Sequence, residues 1–354
     1  MKKTMLIMLG LMAIAPSAMA VGVLDWLKPA VVETGAGGKK AVLADAAELL
    51  TLEPGETEMY PKPSPDGRFL LVRSAKGKHT WISRRYAENG DPANRVTDDI
   101  RANDSIAWKD AGHVYFLSGR AGGLGLWKKI SDGEGMLSRL LELRGILTQP
   151  LLLSDGTIIA VRLTPAANQP ADRRSRSDGF NNWNIPGFHT SIVRIHADGN
   201  AQVLSEGINL SLSPNGKWIA FSMPVGRSMH LFRMHPDGSE LVQITSARSV
   251  DVQSAWSADG KWIVFTSNRA HVNMRNARKS NWDIWAINPD GRNLMQLTRG
   301  KARDGAPRVA SDGRVYFHSD RPVSRQLREQ RQVKNVPRGF HIWSIAFPDI
   351  RISK

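Results

Sequence analysis

Apolar residues along this chain fall in short runs, each entered through a turn. The runs at 69–72, 113–116, 157–160, 218–221, 262–265 and 315–317 follow, in order, Ser64-Pro65-Asp66-Gly67, Asp110-Ala111-Gly112, Ser154-Asp155-Gly156, Ser213-Pro214-Asn215-Gly216, Ser257-Ala258-Asp259-Gly260 and Ser311-Asp312-Gly313. Glycine accepts a positive φ without steric cost, so Asp-Gly or Asn-Gly between apolar runs predicts hairpins. A second strand signal lies downstream in every unit, at Trp81-Ile82, Leu126-Trp127, Ile192-Val193, Leu231-Phe232, Ile284-Trp285 and Ile342-Trp343. Short runs such as Val96-Thr97, Ile244-Thr245 and Leu297-Thr298 then close the units. The turn glycines are spaced 45, 44, 60, 44 and 53 residues apart. Four short strands per repeat, without helical periodicity, predict an all-β, six-bladed β-propeller and not a solenoid. Blade 6 runs out of chain after its third strand, and Leu50-Thr51 precedes the first turn as Leu297-Thr298 precedes the sixth. Residues 48–52 are therefore expected to supply its outer strand, so that an N-terminal strand closes the ring and removes an open edge.

The first residues change the picture of where this ring works. Lys2 and Lys3, an apolar run over 5–16 and Ser17-Ala18-Met19-Ala20 have the layout of a secretory signal. The predicted organisation is a signal peptide at 1–20, a tail or linker at 21–46 and the propeller at 47–354, in a periplasmic protein expected to be monomeric. The chain of 354 residues has no cysteine, which excludes disulfides, a thiol nucleophile and iron–sulfur chemistry. Its net charge of +15 points first to nucleic acid, but export argues against that partner. No later run is long and apolar enough to predict a transmembrane helix.

The repeats resemble those of the TolB-like (WD40-like) β-propeller family. Blade 5 carries the pattern through Trp256-Ser257-Ala258-Asp259-Gly260-Lys261, Phe265-Thr266-Ser267-Asn268-Arg269, Asp283-Ile284-Trp285, Pro289-Asp290-Gly291 and Leu297-Thr298; blades 1, 4 and 6 match in part, blades 2 and 3 weakly. The resemblance implies a six-bladed propeller that binds a protein partner, as the family's periplasmic member binds the lipoprotein Pal at its channel mouth. That member also carries an α/β domain before the propeller, which contacts TolA. Here only the short 21–46 stretch stands in that place, so the resemblance covers the propeller part alone.

Charge is concentrated in one set of loops. Those between the second and third strands, at 74–79, 118–125, 164–190, 222–229, 268–281 and 319–339, together carry +13, and a four-stranded blade puts them all on one face. Lys76, Lys78, Arg269, Arg275, Arg278, Lys279, Arg325, Arg328, Arg331 and Lys334 are the candidate contacts for an acidic protein or anionic envelope component. The competing reading is a solvated basic fringe that only aids solubility. Glu58, Asp104, Asp251 and Asp304 fall in links to the innermost strands and are expected near the channel mouth. They would hold a cation, receive a basic partner side chain, or cap their own turns.

An enzyme is the alternative. His79, His230, Asp283 and His341 occupy equivalent third-strand positions, but neighbouring blades hold such positions too far apart for one metal, so neither metal nor cofactor is expected. His318 and His271 lie near the basic face, as a lyase acting on an anionic sugar such as oligogalacturonate would require. No nucleophile elbow, HExxH or Walker loop is present.

Overall fold

The computed structural model describes residues 46–167, 179–273, 280–334, 336 and 338–348, without the side chains of Asn103 and Asp104. The expected signal peptide and all but the last residue of the 21–46 stretch lie outside the described residues. Six four-stranded antiparallel sheets form the ring. Strand β1 (Glu48–Leu49) comes first, and blade 1 follows as β2 (Thr57–Pro63), β3 (Phe69–Lys76), β4 (His79–Tyr86) and β5 (Pro92–Thr97). Blade 2 is β6 (Ala107–Trp108), β7 (His113–Ser118), β8 (Gly125–Ile130) and β9 (Ser138–Glu142), with the short helix α1 (Ala102–Ser105) in the link before it. Blade 3 is β10 (Leu147–Leu152), β11 (Ile158–Pro165), β12 (Phe188–Ile195) and β13 (Ala201–Glu206). Blade 4 is β14 (Ile208–Leu212), β15 (Ile219–Val225), β16 (Ser228–Met234) and β17 (Val242–Gln243). Blade 5 is β18 (Asp251–Trp256), β19 (Ile263–Ser267), β20 (Asp283–Ile287) and β21 (Met295–Gln296). Blade 6 is β22 (Asp304–Val309), β23 (Arg314–Ser319) and β24 (His341–Ala346), with the helix α2 (Arg325–Gln330) between its last two strands. Its fourth strand is β1, paired with β24 at Glu48↔Ser344 and Leu49↔Trp343, as the closure argument expects.

The turns form as the sequence predicts, for a chemical reason. In blade 1 the Ser64 hydroxyl accepts from Phe69 N–H at 2.9 Å and donates to Asp66 at 2.6 Å, while Asp66 accepts from Arg68 N–H. Ser213 with Asn215, and Ser257 with Asp259, repeat that arrangement. Gly67 completes the turn at φ +73°, a conformation an L side chain resists.

The core is divided among the blade interfaces. Leu71, Val114 and Phe116 fill the space between blades 1 and 2, and Trp262, Val264, Phe317 and Trp343 that between blades 5 and 6. Second strands are flanked by a blade on each side, so β19 is buried at every position, whereas the outer strand β13 is mostly exposed. This explains why the most legible strands read as continuous apolar runs.

Five inner strands carry a bulge. Register shifts interrupt β2, β10, β14, β18 and β22, and each bulge holds a non-glycine residue at positive φ: Tyr60, Gln149, Asn209, Gln253 and Ala306. A bulge removes a backbone N–H from its ladder, and a buried N–H needs another acceptor. Side chains from the preceding blade provide it. Gln149 Oε1 accepts from Asn209 N–H at 2.7 Å, Asn209 Oδ1 from Gln253 N–H at 3.3 Å, and Gln253 Oε1 from Ala306 N–H at 2.7 Å. Ala306 has no acceptor to pass on, and His318 Nδ1 takes the N–H of Tyr60 instead, at 3.3 Å. A belt of polar contacts thus ties blades 3, 4, 5, 6 and 1 around the axis.

Candidate functional site

Three of the four acidic residues expected at the channel mouth are buried between strands. Glu58, Asp251 and Asp304 are each at most 1 % exposed. Asp251, at the start of β18, accepts from the Ser267 hydroxyl at 2.5 Å and from Arg269 Nη2 at 2.6 Å, with His230 Nδ1 of blade 4 at 3.9 Å. Asp304 repeats the arrangement with Ser319 at 2.6 Å and Arg321 at 2.5 Å. In blade 1, Glu58 meets Ser74 and pairs with Arg85 of β4 at 2.5 Å. In blades 5 and 6 the cause is local: the acid opening the inner strand faces the Ser-x-Arg corner ending the second strand, and the two satisfy each other, whereas blade 1 has Lys76 at the corner and Arg85 of β4 serves Glu58 instead. Burial alone would push the Asp251 carboxyl up, but Arg269, His230 and Ser267 hold it below the usual range. Burial raises Glu58 against the pull of Arg85. In blade 2 Ser118 and Arg120 pair with Asp99, while the Asp104 side chain lies outside the described residues. Ser118-x-Arg120 was the signal that could have found Asp99.

This geometry also corrects one member of the basic set. The Arg269 side chain is only 7 % exposed, because its charge is spent on Asp251. Lys76, Lys78, Arg331 and Lys334 are exposed, as is Arg325, which pairs with Glu329 at 2.7 Å. Arg331 reaches back to the Leu50 and Asn89 carbonyls. Arg275, Arg278 and Lys279 lie outside the described residues. Arg328 is half-buried and lines a pocket of about 940 Å³ between blades 1 and 6. Arg73, Arg303, Arg321 and Arg338 join it there, Asp320 is the sole acid among the described residues of the lining, and Met59, Val323, Val336 and Phe340 supply apolar surface. Asp320 pairs with Arg303 at 2.8 Å and Asp304 with Arg321, whereas Arg73, Arg328 and Arg338 have no carboxylate partner among the described residues. Arg73 lies 4.9 Å from the Tyr60 ring centroid and donates to the Met59 sulfur.

The channel is plugged on this face. Residues 179–187, the end of the blade 3 insertion, fold over the axis and bury Phe180 and Trp183. Phe180 stacks on Phe340 at 5.6 Å and meets Trp282 and His318 edge-on; Trp183 lies 5.0 Å from Trp282. Asn182 Oδ1 and the Phe180 carbonyl both accept from Gln253 Nε2, which bolts the plug to the belt. Trp183, an aromatic inside the polar blade 3 insertion, was a signal that could have located this plug.

His318 is enclosed rather than presented to a ligand. Burial, with Arg73, Arg303 and Arg308 nearby, holds its imidazole well below the usual histidine range. As an Nδ1 acceptor for Tyr60 N–H it is neutral in the fold, while the unfolded chain binds a proton below about pH 6.5. The unfolded state then holds more protons, so stability falls as pH drops below that value. Moving from pH 7.5 to 5.5 is expected to cost about 1.4 kcal/mol through this residue. Urea unfolding of the wild type and of His318→Gln at both pH values checks this; equal losses in the two proteins would remove the assignment. Among the described residues no group of three or more His, Asp or Glu side chains is placed to hold a metal, and no helix is long and apolar enough to cross a membrane.

Comparison with known proteins places the fold. No family model matches the chain. A TolB homolog from Chlorobium luteolum is 26% identical over 159 residues, 44% of this chain, and the match spans about a third (32%) of that relative's length. A TolB structure from Agrobacterium tumefaciens superposes with a TM-score of 0.50 at 20% identity, covering 68% of this chain and 80% of that one. The calcium-binding protein regucalcin from the same organism gives 0.50 at 13% identity over 85% and 94% of the two chains. The chain is thus a six-bladed β-propeller closed end to end, with repeats similar to those of TolB proteins.

Proposed function

We propose that this protein is an exported, non-catalytic binding propeller that works in the periplasm and takes an acidic protein partner through its loop face. The pocket between blades 1 and 6 carries the reading. Five arginines meet there, three of them without a carboxylate partner among the described residues, over a floor that includes Met59 and Phe340. Guanidiniums over apolar surface suit a segment with carboxylates and a hydrophobic side chain, because Arg pairs with carboxylates in a planar fork and its stem packs on apolar groups. Lys76, Lys78, Arg325, Arg331 and Lys334 extend the positive field around the rim. The TolB likeness supports a binding role and a periplasmic location.

A labelled peptide of glutamates and leucines is the probe, followed by fluorescence anisotropy. Combining Arg73→Glu, Arg328→Glu and Arg338→Glu is expected to weaken it at least about tenfold, or 1.4 kcal/mol. Added salt should weaken the wild type as well. Lys217→Glu, in an exposed turn on the opposite rim, is the control and should change little. Binding that survives the triple reversal, or ignores salt, would sink the proposal.

A further inference from the structure

Below the plug the inner strands enclose a cavity of about 340 Å³, which reaches the opposite rim at Pro63, Trp108, Leu212 and Val309. Among the described residues its lining includes two cationic side chains, Lys62 of β2 and Arg308 of β22, and no Asp or Glu. Lys62 Nζ donates to the Ile106 carbonyl. Among the described residues Arg308 makes one hydrogen bond, from Nη1 to the carbonyl of its own neighbour Pro307, at 2.7 Å. Arg308 is half-buried, and desolvation by the surrounding strands lowers its pKa to about 10, with no carboxylate among the described residues beside it. A partly desolvated cation without a counter-charge is costly, and an anion entering the cavity would offset the cost.

The remaining donors point to the type of anion. With Nη1 committed to Pro307, the Nε and Nη2 edge of Arg308 is left, the pair of parallel N–H groups that matches the two oxygens of a carboxylate. Ser254 Oγ, buried without a partner, lines the same cavity, as do Gln149 and Asn182, whose side-chain oxygens already accept from the belt. Their amide N–H groups leave hydrogen-bonding capacity for hydroxyls on the ligand.

We infer that the channel is a second binding site, which takes a small hydroxylated carboxylate from the rim opposite the basic loops and holds its carboxylate on Arg308. This site is separate from the arginine pocket and does not rest on it, since the Phe180 plug stands between the channel and the loop face.

Saturation-transfer NMR with lactate and gluconate as probes, and glycerol as the uncharged control, tests the inference on the full chain. Saturable binding of the two carboxylates at or below ~10 mM is expected, with none of glycerol. Arg308→Gln should weaken it about tenfold or more, as loss of a bidentate carboxylate contact does. If that variant does not fold, Lys62→Met takes its place and should weaken binding severalfold through loss of the second cation. The triple reversal in the arginine pocket should leave carboxylate binding unchanged, which keeps the two sites distinguishable. Absence of saturable binding, equal binding of glycerol, or binding indifferent to the channel variant that folds would each overturn the assignment.

Discussion

Asp251→Ala is expected to destabilise the protein by about 3–5 kcal/mol, the range seen when one partner of a buried ion pair is removed. Asp251 is fully buried and serves Ser249, Ser267 and Arg269 at once. Removing it strands the Arg269 charge against the Phe265 and Trp285 rings, 5.2 and 5.4 Å away, where water cannot replace the carboxylate. Asp251→Asn keeps the shape but not the charge and should lose nearly as much. The decisive comparison is with Arg269→Met in the same chain. If the cost is an orphaned cation, the double variant recovers much of the loss, with a coupling energy of about 1–3 kcal/mol for residues in contact. Urea unfolding of the four proteins measures it. A loss below about 1 kcal/mol, the range of exposed pairs such as Arg325–Glu329, would show that water reaches the pair.

This clasp also shows how far the sequence could be read. The turn residues announce themselves because Ser64, Asp66 and Gly67 act on a backbone a few positions away, so local pattern and fold coincide. The belt was equally open to view: Tyr60, Gln149, Asn209, Gln253 and Ala306 each stand seven residues before a turn glycine. In blade 2 that position is Ser105, whose hydroxyl accepts from Leu117 N–H in place of a bulge contact. What the pattern conceals is direction. Glu58, Asp251 and Asp304 each stand nine residues before a turn glycine, but whether a carboxylate turns to the axis or into the blade depends on its partners, the Ser-x-Arg corner for Asp251 and Asp304 and Arg85 for Glu58. The arginine pocket was less legible still, since it gathers Arg73 from β3, Arg303 from the link to β22 and Arg328 from α2. No spacing along the chain encodes that meeting.

The blade 3 insertion was the least legible element, and it carries the second large effect. Its polar, arginine-bearing sequence over 172–178 reads as a solvated fringe, yet a few residues later Phe180 closes the axis. Phe180→Ala should cost about 3–5 kcal/mol, because deleting a buried ring loses its transfer energy and leaves a cavity that neighbours fill only in part. Relaxation has little room here: a Cβ on Gly305 would already come within 2.6 Å of Phe180 and 2.7 Å of His318 Nε2, so the packing under the ring is tight. Gly305→Val should accordingly expel the ring and approach the same loss from the other side. Stability alone would not separate a plug from an ordinary core residue, and amide exchange does. With the plug displaced, the Gln253 and Ala306 N–H groups, held by Asn209 Oδ1 and Gln253 Oε1 just beneath it, should lose protection more than the N–H groups of β7 on the far side of the ring. A uniform loss of protection across all six blades would instead make Phe180 a contributor to global stability, with no special place at the channel.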